Sequence, residues 1–307
     1  MPWPFGHPWC WLLLLARVPA LRIGDARNAS AVLEKLQTHR CGARRFNYKC
    51  HGKAYDSYLE AHGDALQSIY ARAAEQPFNQ SILFIGNSHI REVAESFTCQ
   101  RQSMITLWAH LNRFGCLEAS PYSRKCDGGS KKKPCWDELS RAEMHGGGSV
   151  SIAVNHPWIY KGILGLKRAF QWLGLDPTAL DTIVVGPWNS YDWALGKFVA
   201  ERAMPLCWRS EALELVGLRP FTLPDFAHAL EELGFRGTLL LGGMFGEPVA
   251  NEEHDRELLA QRNFSFAVQP LAPFPADCAS RDCAPRPGHQ CLPGPVDFAA
   301  AEVAALR

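Results

Sequence analysis

Residues 81–99 read SILFIGNSHIREVAESFTC, and the change of periodicity inside this stretch decides the fold. The apolar run 81–85 stops at Gly86, which is typical of a short buried strand. The apolar residues that follow recur at helical spacing and predict a helix over 89–101. The sequence therefore predicts a strand, a tight turn and a helix, with Ser88 at the start of that helix.

Further strands and helices alternate along the chain. Apolar runs at 149–154, 181–185 and 237–241 predict three more buried strands. The sequence also predicts a long helix over about 55–74 and a helix over 223–233, which has Pro224 near its start and Gly234 just past its end. This alternation indicates an α/β fold, with a parallel sheet covered by helices on both faces. In such folds the reacting groups gather at the carboxyl ends of the strands.

Composition and charge exclude several classes of protein. The chain has 307 residues, of which 47% are hydrophobic and 21% charged, so it can bury a substantial core and is not mainly disordered. With 32 Lys and Arg against 31 Asp and Glu, the formal net charge is +1, which argues against nucleic acid as a partner. No apolar run approaches the roughly 20 residues of a spanning helix, which excludes a multi-pass membrane protein.

The N-terminal residues predict the cellular compartment. Residues 9–16 read WCWLLLLA and are followed by Arg17, which suits a signal-peptide core better than a membrane span. We interpret residues 1–26 as a signal peptide or short N-terminal anchor. Residues 27–80 are then a Cys-containing N-terminal extension, and residues 81–307 form the main domain. The expected location is the secretory pathway.

The cysteines and sequons agree with export. One of the 11 cysteines, Cys10, lies in the proposed signal, and an even number remains, which fits a disulfide framework in an oxidising lumen. No CxxC pair is present to suggest zinc. Asn-x-Ser sequons at Asn28, Asn79 and Asn263 are acceptor sites for N-glycosylation, and they agree with an exported glycoprotein. The remaining cysteines are Cys41, Cys50, Cys99, Cys116, Cys126, Cys135, Cys207, Cys278, Cys283 and Cys291.

Three polar residues have positions that suit acyl chemistry. Ser88 would lie where helix amides can stabilise an oxyanion, although serine is also an ordinary helix cap. Asn189 follows the predicted strand 181–185 and could donate to the same oxyanion, although asparagine is also common in turns. His289 lies in a Pro- and Gly-framed loop and could act as a general base, although a lone histidine is more often structural.

The order of these residues resembles that of a known family. Residues 84–99, FIGNSHIREVAESFTC, resemble the GDSxxRNxxESLxC segment of the trichome-birefringence-like polysaccharide O-acetyltransferases. These enzymes belong to the PC-esterase branch of the SGNH (GDSL) hydrolases. Residues 289–297, HQCLPGPVD, resemble the DxxHWCLPGxPDxW ending of that family. Between them, 150–162 and 180–193 fit its two middle strands, so that the resemblance covers roughly residues 40–300.

This resemblance implies a function and a set of site residues. It implies a Ser/His/Asp acyl-transfer site on a three-layer α/β/α sandwich, usually in the Golgi lumen, with no metal or organic cofactor. The expected partners are a polysaccharide or glycoprotein glycan and an acyl donor, most simply of an acetyl group. Ser88 matches the nucleophile and His289 the base. The Ser88 amide and the Asn189 side chain match the oxyanion hole.

Two departures from the family pattern affect the expected chemistry. Asn87 replaces the family's Asp before the nucleophile, which is tolerable because that residue does not react. Arg286 replaces the Asp three residues before the histidine, and a cation cannot orient the imidazolium as a carboxylate does. Either Asp282 substitutes, or a Ser-His dyad operates, or catalysis is lost.

Loss of catalysis would leave a glycan-binding relative in the secretory pathway, or an exported disulfide scaffold without a site. The tryptophans that could stack on sugar rings in such a binding protein are Trp158, Trp188 and Trp193.

Overall fold

The described part of the chain contains one seven-stranded sheet with helices packed against it. The structure is a computed structural model, and it describes residues 52–86, 88–110, 138–154, 163–186, 222–242, 260, 263–271 and 293–305. The strands are β1 (Ser81–Gly86), β2 (Ile105–His110), β3 (Glu138–Met144), β4 (Ser149–Val154), β5 (Thr182–Gly186), β6 (Thr238–Leu241) and β7 (Ala267–Pro270). The helices in these ranges are α1 (Lys53–Glu75), α2 (Ser88–Gln100), α3 (Ile163–Leu173), α4 (Leu223–Glu232) and α5 (Val296–Ala305).

The sheet is mostly parallel, as the sequence predicted. Its strand order is β2-β3-β4-β1-β5-β6-β7. The strands from β4 to β7 in this order are parallel to one another, and β3 is antiparallel to both of its neighbours. The four predicted strands are confirmed as β1, β4, β5 and β6, and the three predicted helices as α1, α2 and α4.

The two faces of the sheet are covered by different helices. Successive side chains of a strand point to opposite faces, so that Ile82 and Phe84 pack with residues of α2 and α5. Leu83 and Ile85 point the other way and pack with residues of α3 and α4. All four side chains are essentially inaccessible to solvent. Strand β1, the middle strand of the sheet, is therefore buried on both faces.

Local signals in the sequence set the limits of α4. The Thr222 hydroxyl accepts a hydrogen bond from the Asp225 amide at 3.3 Å, and the Asp225 carboxylate accepts one from the Thr222 amide at 3.0 Å. This reciprocal pair is a capping box, which satisfies two amides that the first turn would otherwise leave unpaired. Pro224 lies in the first turn, and Gly234 follows the helix with φ 81°.

Helix α1 adds a further layer outside α2 and α5. Its apolar face includes Tyr55, Leu59 and Leu66, which form a buried cluster with Cys99 at the end of α2. Cys99 is disulfide-bonded, and every other cysteine lies outside the described residues. None of the helices within the described ranges is long and apolar enough to cross a membrane.

Candidate functional site

The start of α2 lies at the carboxyl end of the central strand. Strand β1 ends at Gly86 between β4 and β5, and α2 begins two residues later at Ser88. Gly86 is in register with Val154 of β4 and Gly186 of β5, so the three strands end at one level. The predicted strand-to-helix transition is confirmed, with Ser88 as the first helical residue. The side chain of Ser88 is outside the described part of the chain.

The strand ends come unusually close together at three glycines, because these residues have no Cβ. A Cβ on Gly86 would lie 2.1 Å from the carbonyl oxygen of Gly186, and a Cβ on Gly186 would lie 1.9 Å from that of Gly242. Gly86 and Gly186 also have φ values of 153° and 146°, which residues with a Cβ rarely adopt. We call Gly86, Gly186 and Gly242 the glycine edge.

The glycine edge also fixes the position of α2. A Cβ on Gly242 would lie 2.8 Å from Cδ1 of Ile90, and a Cβ on Gly86 would lie 3.0 Å from its Cγ1. Ile90 belongs to the first turn of α2, so this turn rests directly on the ends of β1 and β6. The helix N-terminus is therefore held against the strand ends by close packing.

The first turn of α2 has the electrostatics of an anion site. It contains no acidic side chain, so the positive end of the helix dipole is not offset locally. The next turns contain a buried ion pair, in which Arg91 Nε lies 3.6 Å from Glu95 Oε1. Backbone amides at such a terminus can stabilise negative charge that develops on a nearby oxygen.

A buried carboxylate connects helices α1, α2 and α5. Asp297, at the start of α5, is completely buried and accepts hydrogen bonds from the Tyr70 hydroxyl at 3.0 Å, from the Gly294 amide at 2.8 Å and from the Ser96 hydroxyl. Gln100 Nε2 lies 3.4 Å from the same carboxylate and donates to the Asp297 carbonyl at 2.9 Å. We call Asp297 with these four donors the carboxylate hub.

Burial has the largest effect on the pKa of the Asp297 carboxyl group. Desolvation raises the pKa of Asp297, while the hydrogen bonds from Ser96, Gly294, Tyr70 and Gln100 act in the opposite direction. Desolvation, with the nearby Asp297 charge, also raises the pKa of Tyr70. The phenol of Tyr70 therefore stays protonated and keeps donating to the carboxylate.

The hub joins the chain next to His289 to the helix that Ser88 begins. The Tyr55 hydroxyl donates to the Pro293 carbonyl at 2.7 Å, and Asp297 binds the Gly294 amide. Pro293 lies four residues beyond His289 in the sequence. Ser96 lies eight residues after Ser88, which corresponds to about 12 Å along α2.

Most of the site residues expected from the sequence fall on other parts of the chain. Asn189, Asp282 and His289 lie outside the described residues, as do Asn87 and Arg286. The three tryptophans considered for sugar stacking do too. Of the expected set, the structure describes only the position of Ser88. Within its described ranges, no group of three His, Cys, Asp or Glu side chains could hold a metal ion.

Two features of the site were not recognised from the sequence. Asp297 was visible in the stretch HQCLPGPVD, but nothing there indicated that its carboxylate accepts four hydrogen bonds. Gly86, Gly186 and Gly242 each directly follow an apolar run in the sequence. Their close approach to one another depends on which strands are neighbours.

No protein-family model, no curated protein and no solved structure matches this chain. Any assignment of function therefore depends on the chain's own residues and on the chemistry that their positions allow.

Proposed function

We propose that this protein transfers acyl groups, most simply acetyl, to glycan hydroxyls or hydrolyses them, with Ser88 as the nucleophile of an SGNH-type site in a PC-esterase-like domain. The observation that carries the proposal is the start of α2 at Ser88, directly beyond the central strand of a mostly parallel sheet. In such sheets ligands bind at the carboxyl ends of the strands. The helix start adds amides suited to an oxyanion.

The proposed mechanism has two acyl-transfer steps. His289 takes the hydroxyl proton of Ser88 as Ser88 Oγ attacks the carbonyl carbon of the acyl donor. The Ser88 amide and the Asn189 side chain hold the oxyanion, and His289 returns the proton to the departing alkoxide. His289 then takes a proton from a sugar hydroxyl or water as its oxygen attacks the acyl carbon, and returns the proton to Ser88 Oγ as the bond between them breaks, giving a transferase or an esterase respectively.

Chain lengths make this arrangement possible. Asn189 follows Gly186 by three residues, which span at most about 11 Å, and Gly186 is in register with Gly86 beside the start of α2. His289 precedes Pro293 by four residues, which span at most about 14 Å. Tyr55 of α1 holds the Pro293 carbonyl, and the carboxylate hub holds the Gly294 amide beside α2. These chain lengths are compatible with a site in which both partners lie beside Ser88.

Ser88→Ala and His289→Ala are each expected to lower hydrolysis of p-nitrophenyl acetate by at least about 10³-fold, because they remove the nucleophile and its base. A fluorophosphonate probe should label the wild type and should not label Ser88→Ala. Ser57→Ala is the matched control, since Ser57 is exposed on α1, and it should keep both labelling and turnover.

Unchanged turnover in both site variants would remove the acyl-transfer proposal. If those variants also keep binding to a glycan array, the result supports the alternative function, which is glycan binding without catalysis. Asp282→Ala addresses a narrower question: a large loss of turnover supports Asp282 as the acid that orients His289. Full activity in that variant points to a Ser-His dyad.

We also propose that the protein passes through the secretory pathway to the Golgi lumen or the outside of the cell. Two of its sequons suit this location. Asn79 and Asn263 are exposed, and they lie just before β1 and β7. These two strands run in the same direction, so both asparagines are at the edge of the sheet opposite Ser88. Glycans at this edge would leave the proposed site open.

Expression in a eukaryotic secretory host should therefore give a protein whose mobility increases on treatment with peptide-N-glycosidase. Asn79→Gln and Asn263→Gln should each remove one step of that shift and leave turnover unchanged, because the glycans are remote from Ser88. Asn263→Gln combined with Ser265→Ala should give no further loss, since both changes destroy one sequon. A secreted protein with no shift would contradict glycosylation at these sites, and retention in the cytosol would contradict the location.

A further inference from the structure

A cavity of about 540 Å³ lies between α1, the C-terminal end of α2 and α5. Its volume is in the range of small-molecule sites. We call it the helix cavity. Much of its wall is apolar, and the residues that provide this part include Ala65, Ile69, Ala73, Phe298, Ala301 and Ala304. Two arginines and one glutamate contribute its charged groups.

Arg101 places a buried positive charge in this wall. Its side chain is nearly inaccessible, at 7% exposed, and its guanidinium carbon lies 4.0 Å from the centre of the Phe97 ring. Its two hydrogen bonds, to the Phe97 carbonyl and to Gln100 Oε1, are long at 3.4 and 3.5 Å. Among the described residues, no carboxylate lies within 4.0 Å of the guanidinium. Burial lowers the pKa of Arg101 to about 10, so the group remains charged at neutral pH.

Arg72 and Glu302 provide the other charges of the cavity. Arg72 is exposed, and its Nε donates to the Ser68 carbonyl at 3.3 Å. Two guanidinium groups against one carboxylate leave the cavity with a positive balance. An apolar wall beside an excess positive charge favours a ligand that has an anionic group and an apolar body.

The helix cavity is separate from the proposed acyl-transfer site. Arg101 follows Ser88 by 13 residues, which corresponds to about 20 Å along the axis of α2. The two sites would therefore lie at opposite ends of the same helix. A ligand in the helix cavity would not contact the reacting atoms at Ser88.

We propose that the helix cavity binds a small organic carboxylate, with its carboxylate on the Arg101 guanidinium and its apolar body against α1 and α5. The planar guanidinium presents paired N–H donors that match the two oxygens of a carboxylate. Binding supplies the anion that the buried charge lacks among the described residues. The apolar wall favours such a ligand over a fully hydrated anion such as inorganic phosphate.

Benzoate is a suitable probe, with benzyl alcohol as its neutral counterpart and inorganic phosphate as an anion without an apolar body. In calorimetric titrations at constant ionic strength, we expect benzoate to bind the wild type at least tenfold more tightly than either. Arg101→Met keeps an apolar stem but removes the charge, and it should weaken benzoate binding at least tenfold. Arg236→Met is the matched control on an exposed arginine elsewhere, and it should bind as the wild type does.

A second variant tests the cavity without altering its charge. Ala65→Leu, on the exposed side of α1, should fill part of the space and weaken benzoate binding while the protein stays folded. Equal binding of benzoate and benzyl alcohol, or unchanged binding in Arg101→Met, would overturn the role of the guanidinium. Unchanged binding in Ala65→Leu, or no binding by the wild type, would overturn the assignment of the cavity itself.

Discussion

Gly186→Ala is expected to give little or no folded protein. The new Cβ would lie 1.9 Å from the Gly242 carbonyl oxygen, which is backbone and cannot rotate away. Strands β5 and β6 would have to separate at their carboxyl ends. The φ of 146° adds strain of about 1–3 kcal/mol for a residue with a Cβ. Since the whole domain is held by only about 5–15 kcal/mol, this single methyl group removes much or all of its stability.

Gly147→Ala separates the effect of the contact from that of the backbone. Gly147 has φ 85°, but a Cβ there would meet nothing within 4 Å. We expect a loss of about 1 kcal/mol from the backbone conformation alone. Soluble yield, circular dichroism and urea denaturation compare the two variants with the wild type. Similar stability of Gly186→Ala and Gly147→Ala would show that the strand ends do not approach as closely as described.

The central strands were predictable because a strand that is buried on both faces can be recognised from its own residues alone. Residues 82–85 of β1 are buried on both faces, and such a strand is an apolar run whatever lies beside it. Strand β3, ELSRAEM, was not predicted, because its polar residues resemble neither a buried strand nor a clear alternation. It is held by pairing with β2 and β4, which local sequence does not reveal.

Some helices could be predicted from their own residues, and one could not. Helix α2 was predicted from its spacing, and α4 from its Pro and its following Gly. Helix α5, VDFAAAEVAA, was missed because its alanines have no strongly apolar stripe. Its burial against α2 and α1 is a property of the folded protein, since these elements are about 200 residues away in the sequence.

One part of the candidate site could also be predicted from the sequence, and another could not. The position of Ser88 could be predicted, because the strand, the turn and the helix are consecutive in the sequence. The carboxylate hub could not, because its donors Tyr70 and Ser96 are 227 and 201 residues from Asp297. No local pattern indicates which distant hydroxyl groups a carboxylate will meet.

Asp297→Ala is expected to destabilise the protein by at least about 3–5 kcal/mol, because it removes the carboxylate that several buried donors share and creates a small cavity. The Ser96 and Tyr70 hydroxyls and the Gly294 amide all donate to this carboxylate. Asp297→Asn keeps the volume and one acceptor oxygen, so it should be destabilised less than the alanine variant. Asp64→Ala is the control, since Asp64 is exposed on α1, and it should change stability by no more than about 0.5 kcal/mol.

The same series tests whether the hub positions the proposed base as well as stabilising the fold. Asp297 binds the amide of Gly294, five residues beyond His289, and does not need to touch the substrate. Under conditions where Asp297→Asn remains folded, we expect kcat for p-nitrophenyl acetate to fall while KM changes little. Fluorophosphonate labelling of Ser88 should slow in parallel. A destabilised variant whose folded fraction keeps the wild-type kcat would restrict Asp297 to a structural role.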